Sequence, residues 1–170
     1  PGLDITGLVL AKNIRTEFSN EISEELQIIP TSINVAEEMM KNPKRRDLRN
    51  KSIITIDGDD AKDLDDAISV EKLDNNNYLL GVYIADVANY VKEQSFLDRE
   101  AYERGTSVYL PDRVIPMLPK KLSNGICSLN EKVDRLVMAC EMEIDKNGKV
   151  INYEIFEAII NSCLLYTSPS

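Results

Sequence analysis

Residues 53–68 read IITIDGDDAKDLDDAI, an apolar stretch that runs into six aspartates within ten residues. Residues 53–56 predict a strand, because Ile and Thr fit a pleated surface. The aspartates cannot belong to a core, since unpaired carboxylates are too costly to bury. Carboxylate oxygens are ligands for Mg²⁺, which binds at about 2.0–2.1 Å and keeps several waters for substrate phosphates. A strand that ends in such a loop therefore predicts a site for a hard divalent cation.

The same acidic run has a simpler interpretation as solvated surface, which composition alone leaves open. Three features favour a site instead. The run lies between two apolar segments, and Gly58 and Ala61 allow a tight backbone turn. Lys62 is the single cation within it, so its carboxylates repel one another unless a metal or several donors offset the charge.

Two other acidic motifs share part of this pattern. An EF-hand loop that starts at Asp57 is excluded, because Lys62 takes the position of its glycine and Ile68 that of its last glutamate. A phosphatase motif of the form Asp-x-Asp-x-Thr/Val fits Asp57 and Asp59, although Ala61 stands where Thr or Val is expected. An aspartate-dependent phosphatase therefore remains a weaker alternative.

The aspartate spacing resembles that of the ribonuclease II/ribonuclease R family of 3′→5′ exoribonucleases, especially its ribonuclease R branch. The matching positions are Asp57, Asp63, Asp65 and Asp66. Further segments resemble the family in the same order along the chain: residues 81–87, 107–119, 122–130 and 133–136. The resemblance covers roughly residues 1–162.

This resemblance implies hydrolysis of RNA from its single-stranded 3′ end, with release of nucleoside 5′-monophosphates. The catalytic and metal-binding residues would be Asp57, Asp63, Asp65 and Asp66, with Mg²⁺ (or Mn²⁺) as cofactor. A non-catalytic RNA-binding homologue is the alternative, and such a protein is expected to lose the aspartates.

The resemblance also assigns substrate contacts to Tyr109 and Arg135. Tyr109 would contact RNA near the cleavage site, since bases stack on aromatic faces. Arg135 would face the metal or a phosphate. A core tyrosine and a structural ion pair are the respective alternatives. Cys127 is expected to be a buried apolar residue, because the chain has no histidine to activate it.

The resemblance divides the chain into three parts. Residues 1–50 would lead into the catalytic domain, residues 51–162 would form its N-terminal half, and residues 163–170 depart from the family and are interpreted as a non-native tail. The chain begins at Pro1 rather than Met, so we expect it to be a piece of a longer protein. We therefore expect a truncated catalytic domain that is inactive alone.

The net charge of −9 is unusual for a nucleic-acid binder, whose footprint is normally basic. We therefore expect the main RNA-binding surfaces to lie outside this chain. Three cysteines and no histidine argue against a zinc site or a disulfide framework and favour the cytoplasm. The apolar runs are far shorter than the roughly 20 residues of a membrane span, so no membrane association is expected.

The remaining patterns predict an α+β fold, with a mixed, largely antiparallel sheet and flanking helices. A short strand and turn are expected in residues 1–16. The basic run of residues 44–49 is expected to be a solvated connection, a phosphate contact or a counter-charge for the aspartates. A rigid proline-rich loop is expected over residues 107–130. Asp86 is expected to cap a helix, with a supporting role near the metal site as the alternative. The predicted helices are 21–29 and 98–104, and the predicted hairpins pair 67–73 with 78–85 and 135–144 with 150–160.

Overall fold

The computed structural model of the chain describes residues 5–58 and 61–162, and the backbone of residues 164–167. The helices in these ranges are α1 (Ile5–Ala11), α2 (Asn20–Ile28), α3 (Val35–Lys41) and α4 (Phe96–Arg104). The strands are β1 (Arg46–Asp47), β2 (Ile54–Asp57), β3 (Asp66–Lys72), β4 (Tyr78–Ala85), β5 (Val108–Tyr109), β6 (Val114–Ile115), β7 (Asp134–Ile144), β8 (Val150–Asn161) and β9 (Leu164–Thr167).

Seven of the described strands form one sheet in the order β1-β8-β7-β4-β3-β2-β9. The four central pairings, from β8 through to β2, are antiparallel, whereas β1 and β9 add to the two ends in parallel. Strands β5 and β6 form a separate two-stranded ladder. The predicted α+β class with a mixed, largely antiparallel sheet is confirmed.

Both predicted hairpins are present, because their turns carry residues that tolerate left-handed backbone. Asn76 has φ of 66° in the β3–β4 turn, and Gly148 has φ of 80° in the β7–β8 turn. The predicted helix ends are also present. Gly105 ends α4 with φ of 71°, and the Asp86 side chain caps a single helical turn by accepting a hydrogen bond from the Asn89 amide.

Two short helices correct the interpretation of the N-terminal region. Residues 1–16 were expected to form a strand and turn, but Ile5–Ala11 is helix α1, which buries Val9. The polar stretch after Pro30 contains α3, where Asn34 accepts a hydrogen bond from the Glu37 amide as an N-cap. Packing and capping decide such short helices, because their residues carry too little periodicity.

The basic run is not a solvated connection, because its arginines pair with carboxylates. Arg45 is 4% exposed, and its guanidinium lies 3.3 Å from the Asp86 carboxylate. Arg46 forms an ion pair with Glu154 on β8. Arg49 also lies in an ion pair. These side chains join the N-terminal region to the sheet, and none of them pairs with the described aspartates of the loop, which are Asp57, Asp63, Asp65 and Asp66.

The core lies on one face of the sheet, where helices and loops cover it. Ile22 of α2, Tyr83 of β4 and Val137 of β7 are buried there. Strands β3, β7 and β8 also carry exposed apolar side chains, among them Val70, Met138 and Ile155. No helix in the described ranges is both long and apolar enough to cross a membrane.

Candidate active site

The four candidate aspartates lie where two neighbouring strands meet one loop. Asp57 is the last residue of β2 and Asp66 the first of β3, and these strands pair antiparallel, so both carboxylates lie at the same end of the pair. Asp63 and Asp65 belong to the connecting loop. The structure therefore places all four residues in one region, as the sequence predicts. Asp59 and Asp60, from the same run, lie outside the described residues.

The loop is fixed by a segment far away in the sequence. The Leu64 amide donates a hydrogen bond to the Ser128 hydroxyl at 3.0 Å, and that hydroxyl donates to the Lys62 carbonyl at 3.0 Å. The Leu129 amide donates to the Leu64 carbonyl at 2.8 Å. Leu64 itself is buried between the exposed or half-buried aspartates. One inward apolar side chain and one buried hydroxyl thus hold the acidic loop at the surface.

The carboxylates interact electrostatically, as a charged cluster must. Partial burial, followed by the charges of Asp66 and Asp63, raises the pKa of Asp57 above its ordinary value. Burial, followed by the charges of Asp63, Asp66 and Asp57, likewise raises the pKa of Asp65. The protein alone therefore disfavours the ionised form of both groups, which is the situation that a bound cation relieves.

The donor set fits a hard divalent cation in chemistry and in charge. All four side chains offer oxygen ligands, and their mutual repulsion calls for positive charge. Among the residues that the structure describes, no three His, Cys, Asp or Glu side chains are already gathered as a metal cage. Binding would therefore require the carboxylates to close around the ion.

Tyr109 lies beside this cluster. Its hydroxyl donates a hydrogen bond to Asp63 Oδ2 at 3.0 Å, and this bond is the main reason that its pKa is raised. Its side chain is 68% exposed, so the alternative of a core tyrosine is wrong. The two-residue β5–β6 ladder positions it, with Tyr109 opposite Val114. The ring is available to a ligand, while the hydroxyl orients an aspartate.

Arg135 is in a different setting. It is 7% exposed, and its guanidinium donates to the carbonyls of Ser128 at 2.8 Å, Asp134 at 3.0 Å and Gly125 at 3.1 Å. Burial lowers its pKa. These contacts stabilise the segment that carries Ser128, so Arg135 supports the aspartate loop through that segment. A contact between Arg135 and phosphate stays a prediction.

An apolar cavity of about 380 Å³ opens next to the aspartates. Asp63, Asp65 and Tyr109 form its polar part, and most of the remaining lining is apolar: Ile84, Ala85, Val87, Met117, Leu118 and Cys127. Burial raises the pKa of the Cys127 thiol to about 12, which excludes a thiolate nucleophile at neutral pH. The cavity has space for an apolar or aromatic ligand group beside a carboxylate cluster.

Sequence reasoning missed the residues that build this site from outside the aspartate run. Ser128 anchors the loop, and Ser107 accepts a hydrogen bond from the Met117 amide at 2.9 Å at the rim of the apolar cavity. Both serines lie inside segments that were matched to the family. Neither has a local signal, because their partners are distant in the sequence.

The RNB domain family matches residues 45–168. The chain belongs to this family. The match starts six residues before the expected boundary at residue 51 and includes most of residues 163–170, whose interpretation as a non-native tail stays a prediction.

The individual relatives are consistent with that family. Ribonuclease R of Thermotoga maritima is 54% identical over 164 residues, which are 95% of this chain and 22% of the relative. Mycoplasma genitalium RNase R, solved in complex with ribose methylated single-stranded RNA, superposes with a TM-score of 0.88 at 34% identity, covering 96% of this chain and 25% of that one. The chain thus spans about a quarter or less of the length of these relatives.

The fold alone does not decide activity. Yeast Ssd1, described as a pseudonuclease, shares the fold with a TM-score of 0.69 at 20% identity over 81% of this chain. Activity therefore depends on the aspartates and their neighbours rather than on the fold.

Proposed function

We propose that this chain provides the acidic, metal-binding part of a 3′→5′ exoribonuclease that hydrolyses RNA to nucleoside 5′-monophosphates. The observation that carries the proposal is the position of Asp57, Asp63, Asp65 and Asp66 at one end of the β2–β3 pair, beside an exposed tyrosine and an apolar cavity. The relatives named ribonuclease R support it, since the chain aligns with them over nearly its whole length. The complete activity belongs to the longer protein.

Asp57 and Asp66 would hold Mg²⁺, with Asp63 and Asp65 completing or orienting the site; Mn²⁺ is expected to substitute. Bound Mg²⁺ would supply activation of water and stabilisation of the leaving oxygen in an in-line displacement. The carboxylates disfavour a phosphate in the absence of the ion, because the negative charges that raise the pKa of Asp57 and Asp65 also repel an anion. Substrate binding and metal binding are therefore expected to be coupled at this site.

The remaining residues would position the 3′-terminal nucleotide. The exposed Tyr109 ring offers a stacking surface, worth about 1–3 kcal/mol per base and tolerant of base identity. The neighbouring apolar cavity would take part of the nucleoside. With the terminal phosphate beside the aspartates, water attacks phosphorus and the bond to the 3′ oxygen of the preceding residue breaks. The freed 3′ oxygen takes up a proton, and the phosphate remains bonded to the 5′ oxygen of the released nucleotide.

A non-catalytic RNA-binding function is the second candidate, and the shared fold of a pseudonuclease is the observation that favours it. The four aspartates argue against it, because a binding module has no need for a cluster of mutually repelling carboxylates that faces its anionic ligand.

The direct test is single-turnover degradation of a 5′-labelled single-stranded oligoribonucleotide by the full-length protein that carries this chain, with and without EDTA. We expect products that shorten from the 3′ end, release of nucleoside 5′-monophosphates, and no reaction in EDTA. Internal cleavage products, or full activity in EDTA, would reject the proposal. Binding without degradation at any Mg²⁺ or Mn²⁺ concentration would favour the non-catalytic alternative.

A further inference from the structure

A second cavity, of about 340 Å³, adjoins the apolar cavity and has a different charge. The two cavities share Asp63, Ser107 and Ser123. The charged side chains that line the second cavity are three cations (Lys62, Arg113, Lys120) and two carboxylates (Asp63, Asp112). We call it the basic cavity. Its lining carries more positive than negative charge, although the net charge of the chain is −9. The cavity lies next to the site where the RNA phosphate is proposed to react.

The two lysines of the basic cavity are not paired with any residue that the structure describes. Among the described residues, neither the Lys62 nor the Lys120 ammonium has a hydrogen-bond or ion-pair partner. The neighbouring Lys121 differs, because its ammonium is bound to the Leu26 carbonyl. Arg113 pairs with Asp112 at 2.9 Å. Within the described part of the chain, Lys62 and Lys120 are therefore the cations of this cavity that are left for a ligand.

The backbone around both lysines is fixed, so both side chains extend from defined positions at the cavity. The Lys62 carbonyl accepts the Ser128 hydroxyl. Lys120 directly precedes a helical turn over Lys121–Ile126, in which the Leu122 amide donates to the Pro119 carbonyl at 2.8 Å. A lysine ammonium binds phosphate as a point charge and needs no planar partner. Two of them beside an aspartate cluster would offset its repulsion for an incoming anion.

We propose that the basic cavity binds a phosphate group of the RNA, with Lys62 and Lys120 as its ligands, at a position other than the phosphate that is cleaved. The inference rests on the proposed function, since it takes RNA as the substrate. The cleaved phosphate lies at the aspartates, whereas the lysines would hold a neighbouring backbone phosphate and so set the register of the strand. The same chemistry would accept the phosphate of a released nucleotide, so the test must separate the two sources.

The test measures binding in the full-length protein carrying Asp65→Asn, so that RNA is not degraded. Fluorescence anisotropy with a labelled single-stranded oligoribonucleotide gives Kd at several salt concentrations. It is measured for the Asp65→Asn protein itself, called the parent, and for the same protein with Lys62→Ala/Lys120→Ala. Lys146→Ala is the matched control, because Lys146 lies in the β7–β8 turn and lines neither cavity. The slope of log K against log salt is about −0.7 per phosphate neutralised on a single strand.

We expect the double variant to weaken RNA binding about tenfold and to reduce the salt slope by about 0.7. Lys62→Arg/Lys120→Arg should restore the slope, and the control should leave both quantities unchanged. The inference is overturned if affinity and slope stay unchanged, or if affinity falls without a change in slope. Competition with AMP separates the two sources of phosphate. If the cavity binds a backbone phosphate of the RNA, AMP should displace RNA equally from the parent protein and the double variant. If the cavity holds the released nucleotide, AMP should displace RNA more weakly from the double variant.

The phosphate site in the basic cavity can be rejected while the proposed exonuclease function stands, and the reverse is also possible. An active exonuclease with an unchanged salt slope in the double variant would reject the basic cavity alone. A protein that binds RNA through these lysines and degrades nothing would reject the exonuclease and keep the cavity.

Discussion

Replacement of Ser128 by alanine should loosen the aspartate loop without touching a carboxylate. The Ser128 side chain is fully buried, and its hydroxyl both accepts from the Leu64 amide and donates to the Lys62 carbonyl, each at 3.0 Å. Alanine leaves the Leu64 amide buried without its partner, which costs about 1–3 kcal/mol. Because the Leu129–Leu64 hydrogen bond remains, we expect that cost to appear as local opening of the loop rather than as loss of the fold.

The expected magnitude follows from that free energy. A cost of about 1–3 kcal/mol increases the population of the open loop by roughly 5- to 150-fold. Hydrogen exchange of peptides that contain residues 61–66 should accelerate by this factor in the full-length protein. Cleavage should fall by up to about 10²-fold, since a displacement of about 1 Å at a reacting group has that effect.

The control for this experiment is Ser52→Ala, which removes an exposed hydroxyl near the start of β2. It should leave both exchange and cleavage unchanged. Unchanged exchange in residues 61–66 of Ser128→Ala would show that the hydroxyl does not hold the loop. Equal acceleration throughout the sheet would show that it supports the fold in general and not the loop.

Three further predictions concern the aspartates and the chain itself. Asp65→Asn in the full-length protein should abolish cleavage and leave RNA affinity within about threefold, since affinity comes mainly from phosphate contacts and stacking; near-normal cleavage would reject the assignment. In metal-free protein the same substitution should raise the Tm at neutral pH. Because the pKa of the Asp65 carboxyl is raised in the folded protein, its negative charge destabilises the folded state above the unfolded-state pKa. This destabilisation disappears as the pH falls through the folded-state pKa. The gain should shrink in acid and when Mg²⁺ is added, and a lower Tm for the variant at neutral pH would contradict the proposed repulsion. Residues 1–170 alone should show little exonuclease activity and low solubility, because apolar side chains such as Val70 and Ile155 are exposed on the sheet; digestion at the rate of the full-length protein would show that the aspartate loop needs no further residues.

The features that the sequence predicted are those whose causes are local. Asn76 and Gly148 adopt positive φ and define two hairpin turns, and Gly105 ends α4 in the same way. The aspartate run was recognisable because Asp57 and Asp66 flank a loop between two apolar strands, so adjacency in the sequence becomes adjacency in space. Local chemistry therefore gave the hairpins and the position of the acidic loop.

The features that the sequence did not predict depend on distant partners. Arg45 is buried against Asp86, 41 positions away, and Ser128 holds Leu64 across 64 positions. Neither contact has a signal within a short window of sequence. Tyr109 was predicted from the resemblance as a substrate contact, but its hydrogen bond to Asp63 was not. Helix α1 was predicted as a strand, since seven mostly apolar residues do not distinguish the two structures without their packing partners.

The central claim is that the carboxylates at the β2–β3 end hold the divalent cation. The most direct measurement replaces Mg²⁺ with Fe²⁺ in the full-length protein, adds ascorbate and peroxide, and locates the backbone breaks that radicals produce next to the bound ion. If the carboxylates hold the ion, the breaks lie within or beside residues 57–66, are suppressed by excess Mg²⁺ and are lost in Asp57→Asn/Asp66→Asn. Breaks confined to other parts of the protein, or breaks at this loop that persist in that double variant, would contradict this claim.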